Sequence, residues 1–159
     1  MIFHPRLRSP TGCTSLLLAA ILLAGGCRQV RPSENGLRLN QYAFVTNGKS
    51  SNVSVVDLTT FRVVRTVPVG SDPSGVTASP IRNEVYVVNT GSGSVSVLNA
   101  ETLQVASTVR VGRSPFSLEL SPDGVTGFVA NSASDTVSVV NLTARRITKT
   151  IPVGRSPGS

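Results

Sequence analysis

The sequence predicts an all-β fold, a partial β-propeller of about three four-stranded blades built from 42-residue repeats. The first observation is a spacing: Asn47, Asn89 and Asn131 stand 42 residues apart, and so do the valines, serines, glycines and prolines around them, with no insertion or deletion. The second is a composition rich in valine, serine, threonine and glycine, which favours strands joined by tight turns. A period of about 40–45 residues is typical of one propeller blade per repeat.

Residues 1–27 precede the repeats and are predicted to be an export signal. They combine a basic start at Arg6 and Arg8 with an apolar run over 15–24 and the ending Gly25-Gly26-Cys27. The run is short for a permanent membrane helix, which needs about 20 apolar residues. Removing the segment leaves 13 basic residues against 8 acidic ones, an excess too small to indicate nucleic acid.

The end of this segment resembles the bacterial lipoprotein signal, in which the cysteine becomes the lipidated first residue. Cys27 is therefore the expected lipidation site, and a lipid anchor would attach the protein to a membrane. The resemblance implies an exported lipoprotein of the outer membrane or periplasm, or one displayed on the cell surface. Ala24 departs from the usual leucine, so an ordinary cleaved signal and a retained anchor stay open as alternatives.

The linker and the repeats follow in order. Residues 28–41 mix charge with proline and glycine, as a linker does. Residues 42–159 form the repeats, with blades at about 42–74, 75–116 and 117–159. In the second repeat we expect strands at 75–79, 84–89, 95–98 and 104–111, running from the inner to the outer edge of the blade. Doubled apolar residues such as Val97-Leu98 predict strands covered on both faces.

Turn residues punctuate each repeat. Asp57, Asn99 and Asn141 follow the third strand, where each side chain is expected to bond the backbone just beyond it. Residues 121–124, Ser-Pro-Asp-Gly, predict a tight turn after the inner strand of the last blade.

Three in-phase segments then carry a family resemblance: Phe44-Val-Thr-Asn47, Tyr86-Val-Val-Asn89 and Phe128-Val-Ala-Asn131. Each is followed ten residues later by Asp or Asn, and the set resembles the YVTN family of propeller repeats over 42–159. The resemblance implies a propeller, commonly of seven blades, in an exported bacterial or archaeal protein. It implies no single activity.

Three blades are fewer than the four to eight that close a ring. We therefore expect the natural protein to continue beyond Ser159, to be a truncated copy, or to close by pairing chains, with truncation favoured. The total blade number stays open. Open blade faces and unpaired strand edges also predict self-association.

The candidate binding face consists of loops that enter the inner strands and loops that join the second and third strands. These loops are expected to emerge together and to present a site for a protein or an anionic envelope ligand, with Arg113 and Arg155 reading anionic or polar groups. The alternative is that the charges are simply solvated loop residues. The residues of this face are Lys49, Asp72, Arg113, Phe116, Asp135 and Arg155.

Two further sets of polar residues have structural alternatives. Asn47, Asn89 and Asn131 either line a polar ring or satisfy backbone groups at turns, and the second is favoured. Basic residues on the outer strands either touch an anionic surface or discourage edge pairing. Nucleic acid is not expected as a partner, because the chain has no Trp and few aromatic residues for base stacking.

Catalytic chemistry finds little support in the repeats. His4 is the sole histidine, and both cysteines, Cys13 and Cys27, precede the repeats. No catalytic residue, metal site or cofactor is therefore assigned. The expected function is a non-catalytic scaffold of the cell envelope that binds a ligand or partner. The alternative is a fragment of a propeller enzyme, either lactonase-like or similar to quinoprotein and cytochrome d1 propellers.

Overall fold

The structure, a computed structural model, describes residues 41–158. The predicted signal peptide with Cys27, and the linker apart from its last residue, lie outside the described residues. Among residues 41–158, no helix has the length and apolar character needed to cross a bilayer.

The described chain folds into three antiparallel sheets whose strands are hydrogen-bonded in chain order. A single 3-10 turn, Gly48–Ser50, interrupts the strands. The first sheet contains β1 (Tyr42–Asn47), β2 (Asn52–Asp57) and β3 (Arg62–Pro68); the second contains β4 (Pro73–Ala78), β5 (Glu84–Asn89), β6 (Ser94–Asn99) and β7 (Gln104–Arg110); the third contains β8 (Pro115–Leu120), β9 (Thr126–Asn131), β10 (Thr136–Asn141) and β11 (Arg146–Pro152). The predicted all-β, partial propeller fold is confirmed.

Backbone geometry repeats with the sequence. Each sheet has a register shift between its last two strands at the same place, for example between Val97 and Leu98. Left-handed backbone also recurs at three positions of every repeat, at Ser51, Gly93 and Asp135, at Phe61, Leu103 and Arg145, and at Asp72, Ser114 and Ser156. Because such φ values are uncommon outside glycine, their recurrence shows that the turns themselves are repeated units.

The predicted turn chemistry is confirmed. The side-chain oxygen of Asn99 accepts the backbone N–H groups of Glu101 at 2.9 Å and Thr102 at 2.8 Å. Asp57 and Asn141 accept backbone N–H groups in the same way. At residues 121–124, the N–H of Gly124 donates to the carbonyl of Ser121 at 2.8 Å, and Gly124 has a φ of +64°. Local side-chain bonds therefore define where each strand ends.

The core consists of two layers, one between each pair of neighbouring sheets. Val87 and Leu98 of the second sheet pack toward the first sheet, whereas Tyr86 and Val97 pack toward the third. The prediction of strands covered on both faces is thus confirmed in the second sheet. In the first and third sheets one face is buried and the other is open, because a neighbouring sheet lies on one side only within the described residues.

Candidate functional site

Six loops emerge at one edge of the three sheets, and we call this edge the loop edge. They comprise residues 48–51, 69–72, 90–93, 111–114, 132–135 and 153–157. Backbone bonds join loops of successive blades: the N–H of Thr90 donates to the carbonyl of Asp72 at 3.0 Å, and the N–H of Ser132 donates to that of Ser114 at 3.0 Å. The loop edge is therefore a continuous surface whose backbone is held in place.

The structure brings five of the six candidate residues onto these loops, namely Lys49, Asp72, Arg113, Asp135 and Arg155. The sixth, Phe116, lies on β8 and is 50% exposed. Asp135 has a local role, since its Oδ1 accepts the N–H of Ser156 at 2.8 Å. The lysine and arginine side chains stay exposed. The loop edge therefore presents three cationic side chains together with the exposed carboxylates of Asp72 and Asp135.

A groove of about 540 Å³ opens on the loop edge between the loops of the second and third sheets. Among its lining residues are Asp72, Arg110, Arg113, Ser114 and Ser134. The N–H of Arg113 donates to Ser134 Oγ at 2.7 Å, which holds the arginine backbone against the opposite wall. Two arginines thus line the groove together with one aspartate.

Sequence reasoning missed Arg110, the last residue of β7. Pro68 and Pro152 occupy the same place in the other two repeats, so the second repeat alone has a charged residue at this position. Arg110 also lines a second recess of about 380 Å³ between the first and second sheets. Neither Arg110 nor Arg113 has a carboxylate within ion-pair distance in residues 41–158.

The asparagines do not form an exposed ring. Asn131 is fully buried; its Nδ2 donates to Ser138 Oγ at 2.9 Å, and its Oδ1 accepts the N–H of Gly112 at 3.0 Å. The favoured prediction was that each asparagine satisfies backbone groups at its turn, but of the three only Asn131 accepts a backbone N–H among the described residues, whereas Asn47 and Asn89 donate to side-chain oxygens. The N–H that Asn131 accepts belongs to the preceding blade rather than to its own turn, so Asn131 joins two blades. The polar-ring alternative was wrong for Asn89 and Asn131, because both are 0% exposed.

Comparison with known proteins identifies the fold family. The model of the family described as Lactonase, 7-bladed beta-propeller matches residues 2–152. The chain belongs to this family. No curated protein matches it.

Several solved structures are similar to this lactonase-family chain. Hydrazine synthase of Kuenenia stuttgartiensis is 28% identical with a TM-score of 0.69, over 73% of this chain and 34% of the other. Apo AztD from Citrobacter koseri is 18% identical with a TM-score of 0.64, over 76% and 34%. The dihydro-heme d1 dehydrogenase NirN is 14% identical with a TM-score of 0.67, over 75% and 27%. The chain spans between about a quarter and a third of the length of these proteins. The last two are less than 25% identical to it, so they show only that the fold is shared.

On the edge opposite the loop edge, this lactonase-family propeller has a polar cluster around Glu84. Tyr86 Oη donates to Glu84 Oε2 at 2.6 Å, and Arg145 donates to Glu84 Oε1 at 2.5 Å. Burial would raise the pKa of Glu84, but the hydrogen bonds from Tyr86 and Arg145 and the charges of Arg145 and Arg82 hold it below its usual value. Burial and the bond to Glu84 raise the pKa of Tyr86 to about 12.

This cluster joins the second and third sheets, because Glu84 starts β5 and Arg145 lies in the turn before β11. A carboxylate with a lowered pKa and satisfied oxygens is a weak proton acceptor, so its geometry suits an ion-pair clasp rather than acid–base chemistry. Within residues 41–158, no three His, Cys, Asp or Glu side chains come together as a metal site.

Proposed function

We propose that this chain is an exported propeller protein, tethered to the cell envelope, which binds an anionic group of a protein or envelope component without catalysing a reaction. The observation that carries the proposal is the groove on the loop edge, which Arg110 and Arg113 both line. Neither has a carboxylate within ion-pair distance among the described residues.

Guanidinium groups suit this role because each presents several N–H donors in a planar fork that matches carboxylate and phosphate oxygens. A ligand held by both arginines gains two charge-assisted contacts. The loops beneath them are already joined by backbone bonds, such as that from Gly91 N–H to Ser71 carbonyl at 3.0 Å. Little ordering of the backbone is therefore needed on binding, which favours affinity.

The proposal is tested by measuring how the purified protein binds immobilised lipopolysaccharide, an anionic envelope component. Replacing Arg110 and Arg113 together by Ala should raise the dissociation constant by roughly tenfold or more, since a hydrogen bond to a charged group contributes about 1.5–3 kcal/mol. The matched control is the double replacement of Arg62 and Arg65, which removes the same charge from β3 outside the groove. Equal weakening by both double variants would mean unspecific charge attraction and would refute the groove as the site.

Tethering is a separate part of the proposal and rests on the lipoprotein-type ending at Cys27, with the propeller repeats of the YVTN type following it. We expect cells fed a labelled fatty acid to label the wild-type protein and not a Cys27→Ser variant. The variant should also leave the membrane fraction. Label retained in Cys27→Ser, or wild-type protein free of label, would refute lipidation at this residue.

A lactonase-like enzyme is the second candidate function, because the chain belongs to the lactonase family of propellers. Asp72 is the carboxylate that lines the groove beside the two arginines. In this candidate Asp72 is the base that activates water, and an arginine stabilises the developing oxyanion. Hydrolysis of γ- and δ-lactones that is lost in Asp72→Asn, while lipopolysaccharide binding is absent, would replace the scaffold proposal with this one.

A further inference from the structure

Each sheet has two chemically different faces that recur in every repeat. One face, which we call the asparagine face, carries in the third sheet Val129, Asn131, Ser138 and Val140. The other, the valine face, carries in the second sheet Tyr86, Val95, Val97 and Val109. Both interfaces inside the chain pair the valine face of one sheet with the asparagine face of the next. The contact between blades is therefore directional.

A glycine–asparagine contact lies at the centre of the polar end of each interface. A Cβ atom at Gly112 would lie 2.5 Å from Cγ of Asn131, and one at Gly70 would lie 2.6 Å from Cγ of Asn89. These distances are shorter than real Cβ contacts, so only glycine fits against the asparagine. In the interface between the second and third sheets, the N–H of Gly112 also donates to Asn131 Oδ1 at 3.0 Å.

Among residues 41–158, one copy of each face has no neighbouring sheet on it. On the first sheet the asparagine face is open, with Val45 48% exposed in the row that contains Asn47 and Ser54. Asn47 Nδ2 donates to Ser54 Oγ at 2.8 Å, as Asn131 does to Ser138 and Asn89 to Ser96, both at 2.9 Å. The buried Oδ1 of Asn89 lacks a donor among the described residues although Gly70 packs against it, so the contact is defined by the close approach of the glycine and not by a hydrogen bond. The asparagine side of the contact is thus formed and lacks its glycine.

On the third sheet the valine face is open, with Phe128 42% and Ile151 37% exposed. Gly154 follows this face as Gly112 follows the second sheet, 42 residues earlier. A Cβ atom at Gly154 would meet nothing within 4 Å. The glycine side of the contact is therefore also formed and lacks its asparagine.

We propose that the valine face of the third sheet in one copy of this chain docks onto the asparagine face of the first sheet in a second copy, with Gly154 against Asn47. A second copy fits because the chain itself carries both halves of an interface that it already forms twice. Such a head-to-tail contact is heterologous, so joined copies either close into a ring or extend as an open series. The exposed apolar side chains supply the burial that drives association.

A single methyl group tests the contact in the purified full chain. Gly154→Ala should leave folding unchanged, because its Cβ meets nothing in one copy, and should raise the dissociation constant between copies by about tenfold or more through overpacking against Asn47. Gly158→Ala is the matched control, since a Cβ there also meets nothing within 4 Å. Light scattering coupled to size exclusion gives the mass, and circular dichroism checks the fold.

Mixing two blocked variants tests the direction of the contact. Val45→Arg blocks the asparagine face and Phe128→Arg blocks the valine face, so each variant alone should be monomeric. An equal mixture should form heterodimers, because each variant retains the face that the other needs. Phe61→Arg, which changes an 80% exposed side chain outside both faces, should associate like the wild type.

Three results would overturn the proposal. A wild-type chain that stays monomeric at every concentration would mean that another segment or protein covers these faces. Association that survives in Val45→Arg or Phe128→Arg alone would mean that like faces pair. Association weakened equally by Gly154→Ala and Gly158→Ala would remove the role of the glycine–asparagine contact.

Discussion

The contact between blades makes Asn131→Ala the most informative substitution. The wild-type side chain is 0% exposed, and its amide bonds Ser138 Oγ at 2.9 Å, Thr136 Oγ1 at 3.2 Å and the N–H of Gly112 at 3.0 Å. Alanine leaves the Gly112 donor and the Ser138 hydroxyl without this partner. At about 1–3 kcal/mol for each unsatisfied buried group, we expect the free energy of unfolding to fall by about 2–4 kcal/mol.

Urea denaturation followed by circular dichroism measures this loss. For a chain of this size, with a slope of about 2 kcal/mol per M, the midpoint should fall by about 1–2 M without a change in slope. The protein should be dilute, so that contact between copies does not contribute.

The matched control is Asn47→Ala, which removes the same residue from the open face. Asn47 bonds Asn52 Oδ1 and Ser54 Oγ, both at 2.8 Å, and no glycine donor reaches it among the described residues. Because water replaces these partly exposed bonds, we expect a loss of about 1 kcal/mol or less. If the two substitutions reduced stability equally, the bond between blades would contribute nothing and the reasoning would be refuted.

Three further predictions concern the opposite edge of the sheets. Because the pKa of Glu84 is below its ordinary value of 4.5, the stability that Glu84 contributes is present above pH 4.5 and is lost as the pH falls through the lowered pKa. Glu84→Gln should flatten this acid decline in stability. An unchanged decline would contradict the clasp. Because the pKa of Tyr86 is raised from 10.0 to about 12, stability should fall by up to about 3 kcal/mol as the pH rises over that interval. Tyr86→Phe should abolish this alkaline loss, whereas Tyr42→Phe should retain it. Gly124→Ala should lower the midpoint of thermal unfolding and reduce the free energy of unfolding by about 1–2 kcal/mol, because φ is +64° and the added Cβ would lie 2.6 Å from Ile81 Cγ1. A midpoint equal to that of Gly158→Ala would contradict this expectation.

The candidate site was only partly predictable. Loop positions follow from strand order, because alternate connections of antiparallel strands emerge at the same edge, and this brought Asp72 and Arg113 onto the loop edge. Arg110 was missed because it ends a strand and contributes to the groove only after β7 is paired. The clasp of Glu84 and Arg145 was missed because its two charges are 61 residues apart in sequence and belong to different blades.

The 42-residue period alone determined the strand count per repeat, the turn chemistry at residues such as Asn99, and the stacking of sheets. These properties depend on local bonds and on burial patterns that each repeat carries within itself. Tertiary structure decided which asparagine meets which glycine and which arginines share a groove. Such contacts form between blades, where position depends on how one sheet packs on the next, and no single repeat contains that information.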